Sequence, residues 1–158
     1  MVAPELDANA EAAVLDRMEE ECTEGLKAGT GALTLVRGIP LGRWGVVTSG
    51  HRHVATLRLT SVGIPIPPVL ITGDQVKKGK PDPEPYREGV RAMGVAPSEC
   101  VVIEDAAPGI TSAKSAGIRV VGVRTPYNQG ELGGADIVVE NLSQLSVEIL
   151  AGGLKLRA

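Results

Sequence analysis

The 158-residue chain contains no phenylalanine, one tryptophan (Trp44) and two tyrosines (Tyr86 and Tyr127). A core built almost without aromatics must be filled by Val, Leu, Ile and Ala, which suits parallel strands buried on both faces. Cysteine is equally scarce. Cys22 and Cys100 stand far apart with no metal-ligand spacing, which excludes a cysteine-held metal cluster and predicts two reduced, buried thiols. Basic clusters are missing as well: Lys and Arg are scattered through a chain of net charge -3. No positive stripe is offered to a phosphate backbone, so a nucleic-acid partner is not expected. No apolar run approaches the roughly 18 residues of a membrane span. The acidic opening "MVAPELDANAEAAVLDRMEEE" lacks the basic and apolar regions of a secretory signal. No membrane association is expected, and the expected location is the cytoplasm. The length suits one ordinary domain with a single core.

Against these absences, the hydrophobic residues that are present recur with clear periods. Ala10, Val14, Met18 and Cys22 return at every fourth position among acids, which predicts an amphipathic helix over 7–22. The glycines of "KAGTGA" (27–32) break it, and "ALTLVRG" (32–38) fits a short helix better than a strand. From Trp44 onward the strand-like runs "WGVVTSG", "PVLITGD", "CVVIED", "RVVGV" and "ADIVVEN" follow one another, and helical stretches ending at Gly63, Gly94 and Gly117 separate the first four. Glycine most easily takes the left-handed position that ends a helix. The pattern predicts an α/β fold of repeated strand-helix-strand units with a mostly parallel, doubly wound sheet. In such sheets ligands bind outside the carboxyl ends of the strands.

Three groups of polar residues collect at those ends. Glu104 and Asp105 close an apolar strand as adjacent carboxylates; they would repel each other there unless a hard cation such as Mg2+ drew on their oxygens. The plainer alternative has one acid capping the next helix and the other facing solvent. Thr48, Ser49 and Gly50 end another strand where hydroxyls and N–H groups at a helix start favour an anion, or where Thr48 or Ser49 simply caps that helix. Lys80 stands between Gly79 and Pro81. The proline stiffens the loop and disfavours a helical Lys80, while Asp82 can cap a helix starting at Pro83. A lysine so held is a fixed positive charge suited to phosphate, though a lone Gly-Lys-Pro also occurs in ordinary surface turns. His51 and His53 read as surface residues of a first helical turn, and no Ser-His-Asp order supports acyl transfer.

Taken together, "WGVVTSG", "GKPDPEPY" and "VVIEDAAPGI" resemble the second, third and fourth motifs of the haloacid dehalogenase superfamily, and within it the sugar- and polyol-phosphate phosphatases. The likeness spans about residues 30 to 145. It implies a Rossmann-like core over 31–158, preceded at 1–30 by the end of a small helical cap. It further implies a small phosphorylated metabolite as partner, with Thr48, Ser49, Gly50 and Lys80 at its phosphoryl group. Asp105 and Glu104 are implied to hold Mg2+.

One part of that family pattern is missing. The first motif is an Asp-x-Asp pair ending a strand in the middle of the sheet, yet the six Asp here (7, 16, 74, 82, 105 and 136) include no two spaced two apart. The central strand is therefore expected to be absent, leaving unpaired edges on either side. "ALTLVRG" would fill the slot poorly, since Gly38 and Pro40 follow too closely for a parallel crossover. The leading expectation is an N-terminally truncated, Mg2+-dependent phosphatase without its nucleophile. A pseudo-phosphatase that binds phosphate or a partner without chemistry is the second, and a sugar phosphomutase the third. Substrate identity and oligomeric state stay open.

Overall fold

Short runs of Val, Ile and Leu form strands here because branched side chains fit a pleated surface covered on both faces. The structure is a computed structural model and describes residues 25–126 and 132–158. In chain order these comprise α1 (Ala32–Arg37), β1 (Gly45–Val47), α2 (Arg52–Ser61), β2 (Val69–Ile71), α3 (Glu84–Met93), β3 (Val101–Glu104), α4 (Ala107–Ser115), β4 (Arg119–Val123) and β5 (Ile137–Val139). A hairpin of β6 (Ser146–Leu150) and β7 (Gly153–Arg157) closes the chain. Strands and helices thus alternate as the spacing predicts, and "ALTLVRG" is helical. Gly63, Gly94 and Gly117 all take positive φ, at 74°, 67° and 80°, just beyond the helices they terminate.

The parallel strands lie in two pieces. β1 pairs with β2, and β3, β4 and β5 form a separate sheet in that order. Among the described residues no strand lies between β1 and β3, so each presents an edge of unpaired backbone groups. The antiparallel β6–β7 pair is an element the sequence reading did not contain.

Two apolar layers pack against the larger sheet, the second of them only in part, since Val101, Ile103 and Ile137 on that face stay exposed. On one face Tyr86 of α3 and Ile110 and Ala113 of α4 pack with Val120, and Val47 of β1 and Val102 of β3 press against the same cluster. This layer therefore joins the two sheet pieces. On the other face Leu35 of α1 packs with Val121, Val139 and Leu145. Val120 and Val121 are neighbours in sequence and serve opposite faces, as the two-residue period of a strand dictates. Cys100 is half-buried, not the fully buried thiol expected, because it precedes a strand at the edge of its sheet. Its partial burial, with the nearby Glu99 charge, raises its pKa. Cys22, the helix expected over 7–22, most of the cap segment expected at 1–30, and Tyr127 lie outside the described residues. Among the described residues no helix is long and apolar enough to cross a membrane.

Candidate functional site

Parity along β3 decides where its terminal acids go. Cys100, Val102 and Glu104 alternate onto the face covered by α3 and α4, so Glu104 inherits a core-facing position and is 9% exposed. Asp105, one residue on, lies past the strand and is exposed. Adjacent in sequence, the two carboxylates occupy different environments.

Burying a carboxylate is costly unless donors and an opposite charge meet it. Glu104 has both. The Lys80 ammonium pairs with its Oε1, and the Tyr86 hydroxyl donates to the same oxygen. Lys80 Nζ also donates to the Val47 carbonyl, at 3.0 Å, so this one side chain spans the gap between β1 and β3. The loop that carries Lys80 is anchored from α3: the Glu84 carboxylate accepts from the Lys77 and Lys78 amides at 2.8 and 3.1 Å. Asp82 accepts from the Glu84 amide at 2.9 Å, so it meets the first amide of the helix from one residue before the cap position and not, as expected, from the cap position itself. The helix begins at Glu84, with Pro83 as its capping position.

At the end of β1, Thr48 keeps strand pairing for one more residue, its amide bonding the Ile71 carbonyl at 2.9 Å. Thr48 Oγ1 accepts from the Gly50 amide at 3.2 Å, which closes a tight turn. Ser49 is exposed. Neither hydroxyl caps α2, contrary to the plainer reading of this segment. The free amide of Arg52 instead meets Asp74 Oδ1 at 3.2 Å, a cap supplied by the loop after β2. That loop is pressed onto the first: Gly73 N bonds the Gly50 carbonyl at 3.0 Å, and a Cβ on Gly73 would overlap the Ser49 carbonyl. His51 and His53 are exposed at the start of α2.

Beside these groups opens a cleft of about 560 Å3 whose lining includes Ile103, Glu104, Asp105, Arg124, Glu140 and Asn141. It lies at the carboxyl ends of β3, β4 and β5. The structure thus joins Lys80 to Glu104 directly and sets Asp105 on the cleft wall. Thr48, Ser49, Gly50 and Lys80 do not line that cleft. Among the described residues no group of three His, Cys, Asp or Glu is gathered closely enough to hold a metal alone.

Two participants were missed in the sequence. Tyr86 precedes Gly89 by three residues and Val90 by four, a helical spacing on the core face of α3 that could have marked it. Gly109 sits so close to the Glu104 carboxylate that a Cβ there would overlap it. No local signal reports that contact.

The haloacid dehalogenase-like hydrolase profile matches residues 12–123. Over 148 residues the chain is 40% identical to hexitol phosphatase A of Escherichia coli (strain K12), covering 90% of this chain and 67% of that protein. Over 121 residues it is 36% identical to glycerol-1-phosphate phosphohydrolase 2 of Saccharomyces cerevisiae, covering 71% of this chain and 48% of that one. Among solved structures it is similar to CbbY from Rhodobacter sphaeroides in complex with xylulose-(1,5)bisphosphate, with a TM-score of 0.79 and 28% identity over 92% of this chain and 68% of that one. The chain therefore spans between about half and two thirds of the length of these proteins.

Proposed function

The chain belongs to the haloacid dehalogenase-like hydrolase family, and from that premise we propose that it carries the phosphoryl- and Mg2+-binding residues of a hydrolase acting on small sugar or polyol phosphates. The observation that carries this reading is Lys80. Its ammonium stands at the carboxyl ends of both β1 and β3, held by the Val47 carbonyl and Glu104. An ammonium has three N–H groups, and these contacts use two. The third is available to a phosphoryl oxygen.

The other roles follow from position. The Thr48 hydroxyl accepts from Gly50 and retains its own hydrogen to donate to a second phosphoryl oxygen. Ser49 and Gly50 contribute hydroxyl and N–H groups in the same turn. Mg2+ binds through one or two carboxylates and keeps several waters, a habit that suits exposed Asp105 together with Glu104, whose two hydrogen bonds both fall on Oε1. When bound, the ion would neutralise charge on the phosphoryl group. The polyol and sugar-phosphate substrate class is supported by the names of the similar proteins, hexitol phosphatase among them.

No Asp-x-Asp pair occurs in this sequence, so hydrolysis by this chain alone is expected to be negligible even where phosphate binds. The test is calorimetric titration of the purified chain with inorganic phosphate in the presence of Mg2+. Lys80→Met should weaken binding about tenfold or more, the worth of one charge-assisted hydrogen bond. A variant that binds phosphate as well as the parent chain would overturn the reading.

A further inference from the structure

Tyr86 is 5% exposed, yet it carries a hydroxyl into the core. That hydroxyl donates to Glu104 Oε1, the oxygen that also pairs with Lys80. Its ring meets the same lysine directly, with Lys80 Nζ 5.0 Å from the ring centroid, inside the range of a cation–π contact. Tyr86 therefore touches Lys80 by two routes, one through the ring and one through the shared carboxylate. Phenylalanine would fill the same space and provide only the first.

We infer that Tyr86 is a positioning residue whose hydroxyl fixes the Glu104 carboxylate, so that the Lys80 ammonium is held in one orientation with one N–H left for an anion. A carboxylate oxygen has two lone-pair directions. With Tyr86 on one and Lys80 on the other, Oε1 is saturated and cannot swing to draw in a second ammonium proton. Remove the phenol and the buried carboxylate lacks a donor, so it recruits Lys80 more fully or turns away from it. Either change disturbs the group assigned above to the phosphoryl oxygen. The direction of donation follows from the two groups, because a carboxylate offers only lone pairs and the phenol carries the hydrogen.

This inference rests on the reading of Lys80 as a phosphoryl-binding residue, and the two are tested separately. The chain labelled with 15N-lysine is observed by NMR without ligand, the Lys80 ammonium signal being identified by its loss in Lys80→Met. A held ammonium exchanges its protons with water slowly. Tyr86→Phe should change that exchange severalfold, slowing it where the carboxylate recruits Lys80 more fully and speeding it where the carboxylate turns away, while thermal unfolding remains cooperative. Exchange at the same rate as in the parent chain would overturn the inference and reduce Tyr86 to a packing residue. Should Tyr86→Phe fail to fold, Tyr86→3-fluorotyrosine keeps the volume nearly constant and makes the phenol a stronger donor. The Lys80 resonance should then move, and a stationary resonance would overturn the inference equally. Failure of the phosphoryl reading shows elsewhere, as unchanged phosphate binding in Lys80→Met.

Discussion

Glu104 occupies a position that the pleat of β3 assigns to the core, and its burial is tolerated only because Lys80 and Tyr86 converge on it. The backbone must also leave room. Gly109, in the first turn of α4, lies against that carboxylate, and any Cβ would overlap it. Gly109→Ala should therefore displace Glu104, destabilise the chain by about 1–3 kcal/mol in urea denaturation, as overpacking does, and weaken phosphate binding in parallel. Gly133→Ala, where a Cβ meets nothing within 4 Å, is the matched control. Lys80, Glu104 and Asp105 were legible in the sequence because strand ends and a Gly-Lys-Pro loop punctuate it. Gly109 was not, because its constraint comes from a side chain five residues earlier, reached only once α4 folds back over β3.

At the scale of elements, the alternation of strands and helices and the glycine stops could be read directly, since each depends on local periodicity or backbone preference. The β6–β7 hairpin had a signal that was passed over. Val147 and Ile149 alternate before Ala151–Gly152, and Leu154 and Leu156 alternate after it, around a two-residue turn of the length hairpins favour. What no local pattern reveals is how elements are tied across the sheet. Asp136, just before β5, accepts from the Val120 amide of β4 and from Lys114 of α4, both at 2.7 Å. The Lys114 hydrogen bond, then the Val120 amide, hold its carboxyl below the ordinary value. A depressed carboxylate stabilises the fold above its unfolded pKa and loses that contribution as pH falls through the folded one. Thermal midpoints of the parent chain should thus exceed those of Asp136→Asn near neutral pH, and the difference should shrink below about pH 4 and vanish in stronger acid. A gap that persists there would show that the contact acts through packing and not through charge.

For the molecule as a whole, the gap between β1 and β3 dominates. Among the described residues both strands end with unpaired edges, and Val101 and Ile103 on β3 remain 39% and 37% exposed. Such an edge is a template for further pairing. Sedimentation velocity should show apparent mass rising with concentration, and Ile103→Lys should suppress the rise by placing a charge on the edge. A monomer at all concentrations would mean that the edges are otherwise covered. The family resemblance anticipated unpaired edges from a motif the sequence does not contain; it did not reveal what holds the pieces together. Among the described residues that bond is the layer of α3 and α4, together with the reach of Lys80 from Val47 to Glu104. Lys80 is a stitch across a seam, and an anion gripping its remaining N–H would tighten the stitch from outside. Occupancy and folding would then become one linked equilibrium, in which phosphate at a hundred times its dissociation constant would add about 2.7 kcal/mol against unfolding, and the ligand would serve as the splint for the protein that binds it.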